Sequence, residues 1–446
     1  MKTIITNSII ITMNSDMEVF PDGYVKIEGT KILETGPSCD LKETTEELRA
    51  AGWQIKDGKR GILMPGMVNT HCHLGMIPFR GLGDDCKDRL RVFLLPMEQK
   101  AMSRRMAALS SRYAICELLL SGVTSVMDMY YFEAAVAQVM DQTGIRGIAG
   151  QTLMDEGGCD ASDADQSLSI AKELIETYRM HPRISGCAAP HATNTCSPQI
   201  LKKAWELDTA NQVPFTLHAA EMDYEMTWLA QTRGCTPVGY LDQLGVLSDQ
   251  TAAAHCIHLT DRDIEILRQR GSGVCHCIGS NAKAAKGVAP VLKLLKEGVS
   301  VGLGTDGPAS GNTLDLFTQM RLCAGFQKND SHDRSAMPAK DIVSMATRQG
   351  ARVLGLEEKT GSIEPGKEAD LVLVETDSPN MFPVYDPYSA LVYSANASNV
   401  RDVYVAGTCL VQDKKLVYED FESIRRELSD CMGRSAFGEM QELHRL

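Results

Sequence analysis

The sequence predicts an α/β protein: a (β/α)8 TIM-type barrel with a small β-sandwich module formed by both chain ends. Three observations carry this expectation. Between residue 61 and about 306, eight short runs with strand character recur, separated by stretches long enough for a crossover helix, the alternation expected of parallel βα units. Residues 1–60 and 360–446 are instead rich in alternating short strands with turn signals such as PDG, EPGKEAD and AGT. The length of 446 residues accommodates a barrel of about 250 residues plus a smaller module.

In chain order, MKTIITNSIIITMNSD reads as a first β-strand: its apolar residues are broken by Thr, Asn and Ser, and it offers no small-residue cleavage site of a signal peptide. The barrel strands follow as MVNTHCH near 67–73, VTSVMDM at 123–129, IRGIAGQ at 145–151 and ISGCAAP at 184–190. PFTLHAA at 214–220, TAAAHCI at 251–257, GVCHC at 273–277 and VSVGLGTD at 299–306 complete the set. Residues 102–121 carry apolar positions at helical spacing and stop at Gly122. Thr260 caps a helix that ends before Gly271. SGNTLDLF starts another, with Asn312 or Thr313 as cap, and 338–355 forms the last barrel helix. The barrel is thus assigned to 61–359 and the sandwich module to 1–60 and 360–446.

Composition narrows the function classes. With 43% hydrophobic and 23% charged residues and no low-complexity tract, the chain belongs among soluble globular proteins. A net charge of -13, without any Lys/Arg run able to track a phosphate backbone, argues against a nucleic acid polymer as partner. No apolar stretch approaches the roughly 20 residues that span a bilayer. Fourteen cysteines, none in CxxC spacing, point to reduced thiols in a cytoplasmic protein and exclude a zinc site of the Pro-Cys-x-x-Cys type.

The chemistry-bearing residues gather at strand ends. In HCH at 71–73, alternation puts His71 and His73 on one strand face, so two imidazoles can reach the same ion. A lone HxH is usually incidental, but further candidates fall where barrel active sites assemble: His191 after the fourth strand, His218 on the fifth, His255 on the sixth and Asp306 on the eighth. HAAE leaves Glu221 just beyond His218, as acid/base work beside an ion requires; taken alone it would read as an acid at a helix N-terminus. His276 lies between Cys275 and Cys277 on a strand, so its side chain points away from theirs and a Cys-His-Cys site is geometrically poor. His181, His258, His332 and His444 receive no assignment.

In these residues the sequence resembles the amidohydrolase superfamily, through MPGMVNTHCHLGM, TLHAAEMDYE, AHCIHLTDRDIEIL, GSNAKAAKGVAPV, GTDGPASGNTLDLF and GSIEPGKEADLVLV. Within it, the chain looks closest to the 5-methylthioadenosine/S-adenosylhomocysteine deaminases, a branch that includes 5'-deoxyadenosine deaminases. The resemblance implies one divalent metal held by His71, His73, His218 and Asp306, with zinc expected first and iron or manganese tolerated by the same ligands. It further implies Glu221 as proton shuttle, His255 beside the nucleophilic water, Asp306 as acceptor of that water's proton, Glu98 as acceptor for the ribose hydroxyls and His191 as a purine contact. Two-metal members bridge their ions through a carboxylated Lys or a Glu on the fourth strand, and ISGCAAPH offers neither, so one ion is expected.

The activity so implied is hydrolytic deamination of a small-molecule purine nucleoside, by a homo-oligomer. Relatives place Arg near 155–163 for a substrate carboxylate; DEGGCDASD has none, leaving Arg183 as the alternative cation unless it serves only the surface. S-adenosylhomocysteine is therefore expected to be handled no better than 5'-methylthioadenosine or 5'-deoxyadenosine. Deamination of a free base such as guanine, 8-oxoguanine or a triazine uses the same scaffold, with Glu98 as the discriminating residue. An amide or ring-opening hydrolase, and a catalytically silent barrel that only assembles with partners, are the more distant readings.

Overall fold

The structure is a computed structural model and describes residues 2–435 and 437. The eight expected strands are present: β1 (Met67–Cys72), β2 (Val123–Tyr130), β3 (Arg146–Leu153), β4 (Ile184–Pro190), β5 (Phe215–Ala219), β6 (Thr251–His255), β7 (Gly273–His276) and β8 (Val301–Leu303). Strands β1–β4 form one four-stranded parallel sheet and β5–β8 another. The sheets meet at two seams. Between β4 and β5, Ala192 bridges His218 in parallel sense and the His218 N–H donates to the His191 carbonyl at 3.0 Å. Between β8 and β1, the Asp306 N–H donates to the His71 carbonyl at 3.0 Å. There too the Asn69 amide donates to Thr305 Oγ at 2.8 Å and accepts from the Thr305 N–H at 3.1 Å.

The alternation of strand side chains decides what lies beneath the site. Val68, Met127, Ile148, Cys187, Ala252, Ala254 and Cys275, drawn from six of the eight strands, pack into one buried apolar cluster. The other faces pack on the helices, as βα units require. Strand β8 is shorter than its sequence suggests because residues 304–306 leave regular pairing to enter the site. A Cβ on Gly304 would lie 2.9 Å from Cys277 Sγ and 3.0 Å from the His71 carbonyl, so only glycine allows this approach.

Local signals placed most helices. Arg104–Leu120 is capped by Ser103, and Asp261–Arg270 has a capping box from Thr260 and stops at a left-handed Gly271. Two expectations need correction. The helix after Asp306 starts later, at Leu316, and its cap is Asp315 rather than Asn312 or Thr313. Asn312 is occupied elsewhere, accepting from Lys283 Nζ at 2.6 Å and donating to Asp84 at 2.8 Å. The 338–355 segment is two helices, Ala339–Ala346 and Arg348–Val353, broken at Thr347 (φ -131°, ψ -94°).

Both chain ends join in one nine-stranded sheet. From the N-terminal part come Lys2–Ile11, Val19–Glu28, Lys31–Pro37, Gln54–Asp57 and Ile62–Pro65; from the other end come Leu371–Val374, Val400–Val405, Thr408–Gln412 and Lys415–Leu416. Ile62–Pro65 is the splice, pairing parallel with Lys2–Ile11 and antiparallel with Leu371–Val374. Among the described residues no helix is long and apolar enough to cross a membrane.

A buried bidentate ion pair ties this sheet to the strands beneath the site. Arg146, at the start of β3, donates to Asp370 from Nε at 2.7 Å and Nη2 at 3.1 Å, and the Ala406 N–H adds a third hydrogen bond to the same carboxylate at 2.7 Å. The two side chains are 3% and 0% exposed, so neither charge has recourse to water. Asp370→Ala should therefore destabilise the fold by about 3–5 kcal/mol, because it strands a buried guanidinium. Arg146→Met with Asp370→Leu should recover much of that loss. Urea unfolding followed by circular dichroism checks both, and equal losses in the single and double variants would contradict this account.

Candidate active site

The histidines singled out by the sequence converge at the C-terminal ends of the strands. His71 is the last residue but one of β1, His73 follows the strand, and His218 sits on β5; their ligand atoms lie within 4.8 Å of one another. All three rings are buried. The His73 Nδ1–H donates to the Met129 carbonyl and the His218 Nδ1–H to the His191 carbonyl at 2.8 Å. Since a carbonyl only accepts, these bonds put a proton on each Nδ1 and turn each Nε2 toward the cluster, where an ion would bind it. His71 goes further: among the described residues neither of its ring nitrogens has a hydrogen-bond partner, although both are buried. Burial, with repulsion among the rings, holds His71 and His218 well below the ordinary histidine pKa, which keeps them neutral. Burial would lower His73 as well, but its hydrogen bond and attraction to the Asp306 carboxylate outweigh it and raise it to about 9. Three oriented, desolvated imidazoles are a donor set that fits a divalent cation, which would take the place of the His73 Nε2 proton.

Asp306 completes the cluster. Its Oδ1 lies 3.1 Å from His73 Nε2 and accepts from the Gly307 N–H at 2.7 Å, while Oδ2 accepts from Ser280 Oγ at 2.6 Å. His255 stands beside it, with Nδ1 2.9 Å from Asn281 Oδ1 and Nε2 4.0 Å from Asp306 Oδ2. Nε2 of the same ring is 3.5 Å from Glu221 Oε1. Ala220, His255 and Asp306 all adopt left-handed backbone angles, φ 50°, 70° and 58°. For non-glycine residues this conformation costs on the order of 1–3 kcal/mol each, and such strain concentrates at functional sites.

Two carboxylates flank the cluster in opposite electrostatic settings. Burial alone would raise the Glu221 carboxyl, but the adjacent His255 and the ammonium of Lys286 outweigh it and hold Glu221 far below its usual value. Lys286 Nζ is 2.5 Å from Glu221 Oε1. Glu98, on the helix Leu95–Ala101, is 3% exposed and is pushed up to about 7 by burial, against an opposing hydrogen bond from the Tyr130 hydroxyl. Tyr130 in turn faces His73, ring centroids 6.2 Å apart. His191 lies 4.9 Å from the His218 ring, bonded through Nδ1 to Thr195 Oγ1 at 3.0 Å, and burial lowers its pKa to about 4.

All the site residues expected from the sequence except Arg183 are thus gathered in one region, but four of its supports were not foreseen. Ser280, Asn281 and Lys286 lie in the GSNAKAAKGVAPV segment, where no periodicity or spacing signals a role, and each binds a site side chain. Tyr130 ends β2 and reads in sequence as core. Arg183 requires correction as the alternative cation for a substrate carboxylate. It precedes β4 at the end opposite His191, paired with Asp141 at 2.8 Å, and at about 3.3 Å per strand residue it is roughly 20 Å or more from the site. His181 binds the same Asp141 at 3.0 Å, His258 pairs with Asp223 at 3.3 Å, and His332 terminates the helix Leu316–Ser331. His276 is buried with both ring nitrogens unpartnered. His444 lies outside the described residues.

Comparison with known proteins places this geometry. Residues 62–410 match the model of the amidohydrolase family. A 5-methylthioadenosine/S-adenosylhomocysteine deaminase of Thermodesulfovibrio yellowstonii is 38% identical over 93% of this chain and 94% of its own. A 5'-deoxyadenosine deaminase of Methanothermobacter thermautotrophicus is 37% identical over 92% and 94%. Among solved structures, an adenosine deaminase from Xanthomonas campestris with bound zinc superposes with a TM-score of 0.92 at 30% identity, covering 97% of this chain and 98% of that one. With its strand-end histidines, a family match over most of its length and relatives more than a third identical, the chain belongs to the amidohydrolase family.

Proposed function

We propose that the protein is a metal-dependent aminohydrolase that replaces the 6-amino group of a 5'-substituted adenosine, such as 5'-methylthioadenosine or 5'-deoxyadenosine, to give the inosine analogue and ammonia. The observation that carries this is the set of oriented, buried imidazoles of His71, His73 and His218, with Asp306 on one side and the His255–Glu221 pair on the other. The named activities of the relatives support the same reading. On the fold, we read the two four-stranded sheets as one closed (β/α)8 barrel spanning 61–359, an interpretation supported by the hydrogen bonds at both seams. The chain-end strands are read as a sandwich module of 1–60 and 360–446.

His71, His73, His218 and Asp306 would hold one ion, zinc being the first choice for three imidazoles and a carboxylate. β4 carries neither lysine nor glutamate to bridge a second. An ion there supplies hydroxide at neutral pH, by lowering the pKa of coordinated water from 15.7 to about 7. The chain's own residues do the rest. Asp306, steadied by Ser280 and the Gly307 N–H, would take up the proton that remains on the attacking oxygen. His255, turned by Asn281, orients the oxygen that attacks C6. Glu221, ionised at rest, would take one proton from the attacking water and pass it to the ring nitrogen next to C6, so that negative charge does not build on the purine. The second proton of that water would reach the amino group through Asp306, and collapse of the tetrahedral carbon then expels ammonia. His191 is placed to meet the purine and Glu98 to accept the ribose hydroxyls. Tyr130, beside Glu98, belongs to an apolar cluster with Tyr131, Met97, Met154 and Cys159, surroundings suited to a small apolar 5' group.

Purified protein should carry about one divalent ion per chain and lose turnover on chelation. Full activity in metal-free protein, measured by elemental analysis beside ammonia release, would remove the central claim. Glu221→Gln should retain the metal and lower kcat at least about 10²-fold; near-normal rates would reduce Glu221 to a helix-end acid. For substrate, kcat/KM on 5'-methylthioadenosine and 5'-deoxyadenosine should exceed that on adenine, guanine and 8-oxoguanine, with S-adenosylhomocysteine no better than the first two. Glu98→Ala should erase the preference for nucleosides over bases, a difference of about 1.5–3 kcal/mol for charge-assisted hydrogen bonds. A free base as best substrate with a ranking unchanged by Glu98→Ala would favour the free-base reading instead.

A further inference from the structure

We propose that Lys286 is a positioning residue of the reaction, whose ammonium ties one oxygen of the Glu221 carboxylate and so presents the other to the substrate. The proposal rests on the proton-shuttle role given above to Glu221.

Lys286 hangs from the same turn that braces the rest of the site. The short helix Ile278–Lys283 follows β7 and supplies Ser280 to Asp306 and Asn281 to His255. The chain then doubles back through Ala285, left-handed at φ 53°, and the Lys286 N–H donates to the Asn281 carbonyl at 2.9 Å. This places the lysine stem along the wall beside His255 and brings Nζ to 2.5 Å from Glu221 Oε1. The side chains are only 15% and 17% exposed, unlike a solvated surface pair. Lys283, three residues earlier, faces the other way and fastens to Asp84 and Asn312, so the two lysines of this turn are not interchangeable.

The bonding pattern around Glu221 is one-sided. Lys286 Nζ and His255 Nε2 both approach Oε1, at 2.5 Å and 3.5 Å. Oε2 makes no hydrogen bond among the described residues. The backbone of Glu221 is held separately, its N–H donating to Glu225 Oε2 at 3.1 Å while Glu225 Oε1 accepts from Thr193. A carboxylate with free rotation about its last bond would offer either oxygen at a range of angles. With Oε1 anchored and the backbone clamped, Oε2 is the oxygen left to exchange a proton with the reacting molecule, and its direction is set before substrate arrives. That is the preorganisation a proton transfer in a single geometry needs. If Lys286 only anchored its loop, its loss would be felt whether or not residue 221 could carry a proton.

The test is a double-mutant cycle on metal-replete protein with 5'-methylthioadenosine: wild type, Lys286→Met, Glu221→Gln and the pair, with metal content and thermal midpoint measured throughout. Lys286→Met is expected to lower kcat about tenfold or more with KM changed less than about threefold, and Lys286→Arg to restore part of it. In the Glu221→Gln background the same substitution should change kcat by less than about twofold. Equal losses in both backgrounds, an unaltered kcat in Lys286→Met, or a loss tracking metal release would overturn the proposal. A readout independent of turnover is acylation of lysines by an N-hydroxysuccinimide ester, followed by peptide mass spectrometry. Lys286 should be protected in wild type and labelled faster in Glu221→Gln, and equal labelling would also overturn the pairing. Near-normal kcat in Glu221→Gln alone would instead sink the shuttle role, leaving the labelling result to judge the pairing.

Discussion

The structure depends on holding three imidazoles close together in a buried place, His71 and His218 kept uncharged by burial and His73 raised to about 9 by the Asp306 carboxylate. His71, His73 and His218 crowd their ligand atoms within 4.8 Å, an arrangement that mutual repulsion would disperse if the rings were protonated. Burial removes that proton from His71 and His218, and backbone carbonyls of Met129 and His191 turn the rings of His73 and His218 so that Nε2 faces inward. The scaffold follows from this demand. The carbonyls are positioned by parallel pairing, and the strands that bear them are joined at two seams by bonds of the same residues: His218 N–H to His191, and Asp306 N–H to His71. Fold and site share their hydrogen bonds.

Around those rings, the environment sets two carboxylates apart. Glu98 sits in an apolar cluster with a single phenol as donor, and burial raises it to about 7. Glu221 is less enclosed, its side chain 17% exposed, and an imidazole and an ammonium beside it keep it ionised. Identical side chains thus differ in charge preference within one pocket, because an ammonium is bonded to one and only a phenol to the other. The strained backbone at Ala220, His255 and Asp306 belongs to the same economy of design: each of these strand ends bends its chain inward instead of continuing the sheet.

The length of chain between residues governs which of these features could be read without coordinates. His71 and His73 are two apart, so strand alternation sufficed to put them on one face; Thr260 and Gly271 bracket a helix through bonds that span a turn. Asn312 had equally good credentials as a cap but is drawn to Lys283 and Asp84, 228 residues away in the second case, and the helix begins at Asp315 instead. Arg183 failed as a substrate cation for a related reason: its charge is evident from the sequence, while the end of the strand it occupies is not.

By itself the sequence determined the alternation of strand and helix, the strand-end histidines and acids, and the resemblance those motifs carry, because each is a pattern written over a few residues. Only the tertiary structure decided that Ser280, Asn281, Lys286 and Tyr130 support Asp306, His255, Glu221 and Glu98. These partners lie 26, 26, 65 and 32 residues apart. A hydrogen bond is satisfied by distance and direction in space, and over such separations the chain's local preferences leave both undetermined until the sheets close the path between them.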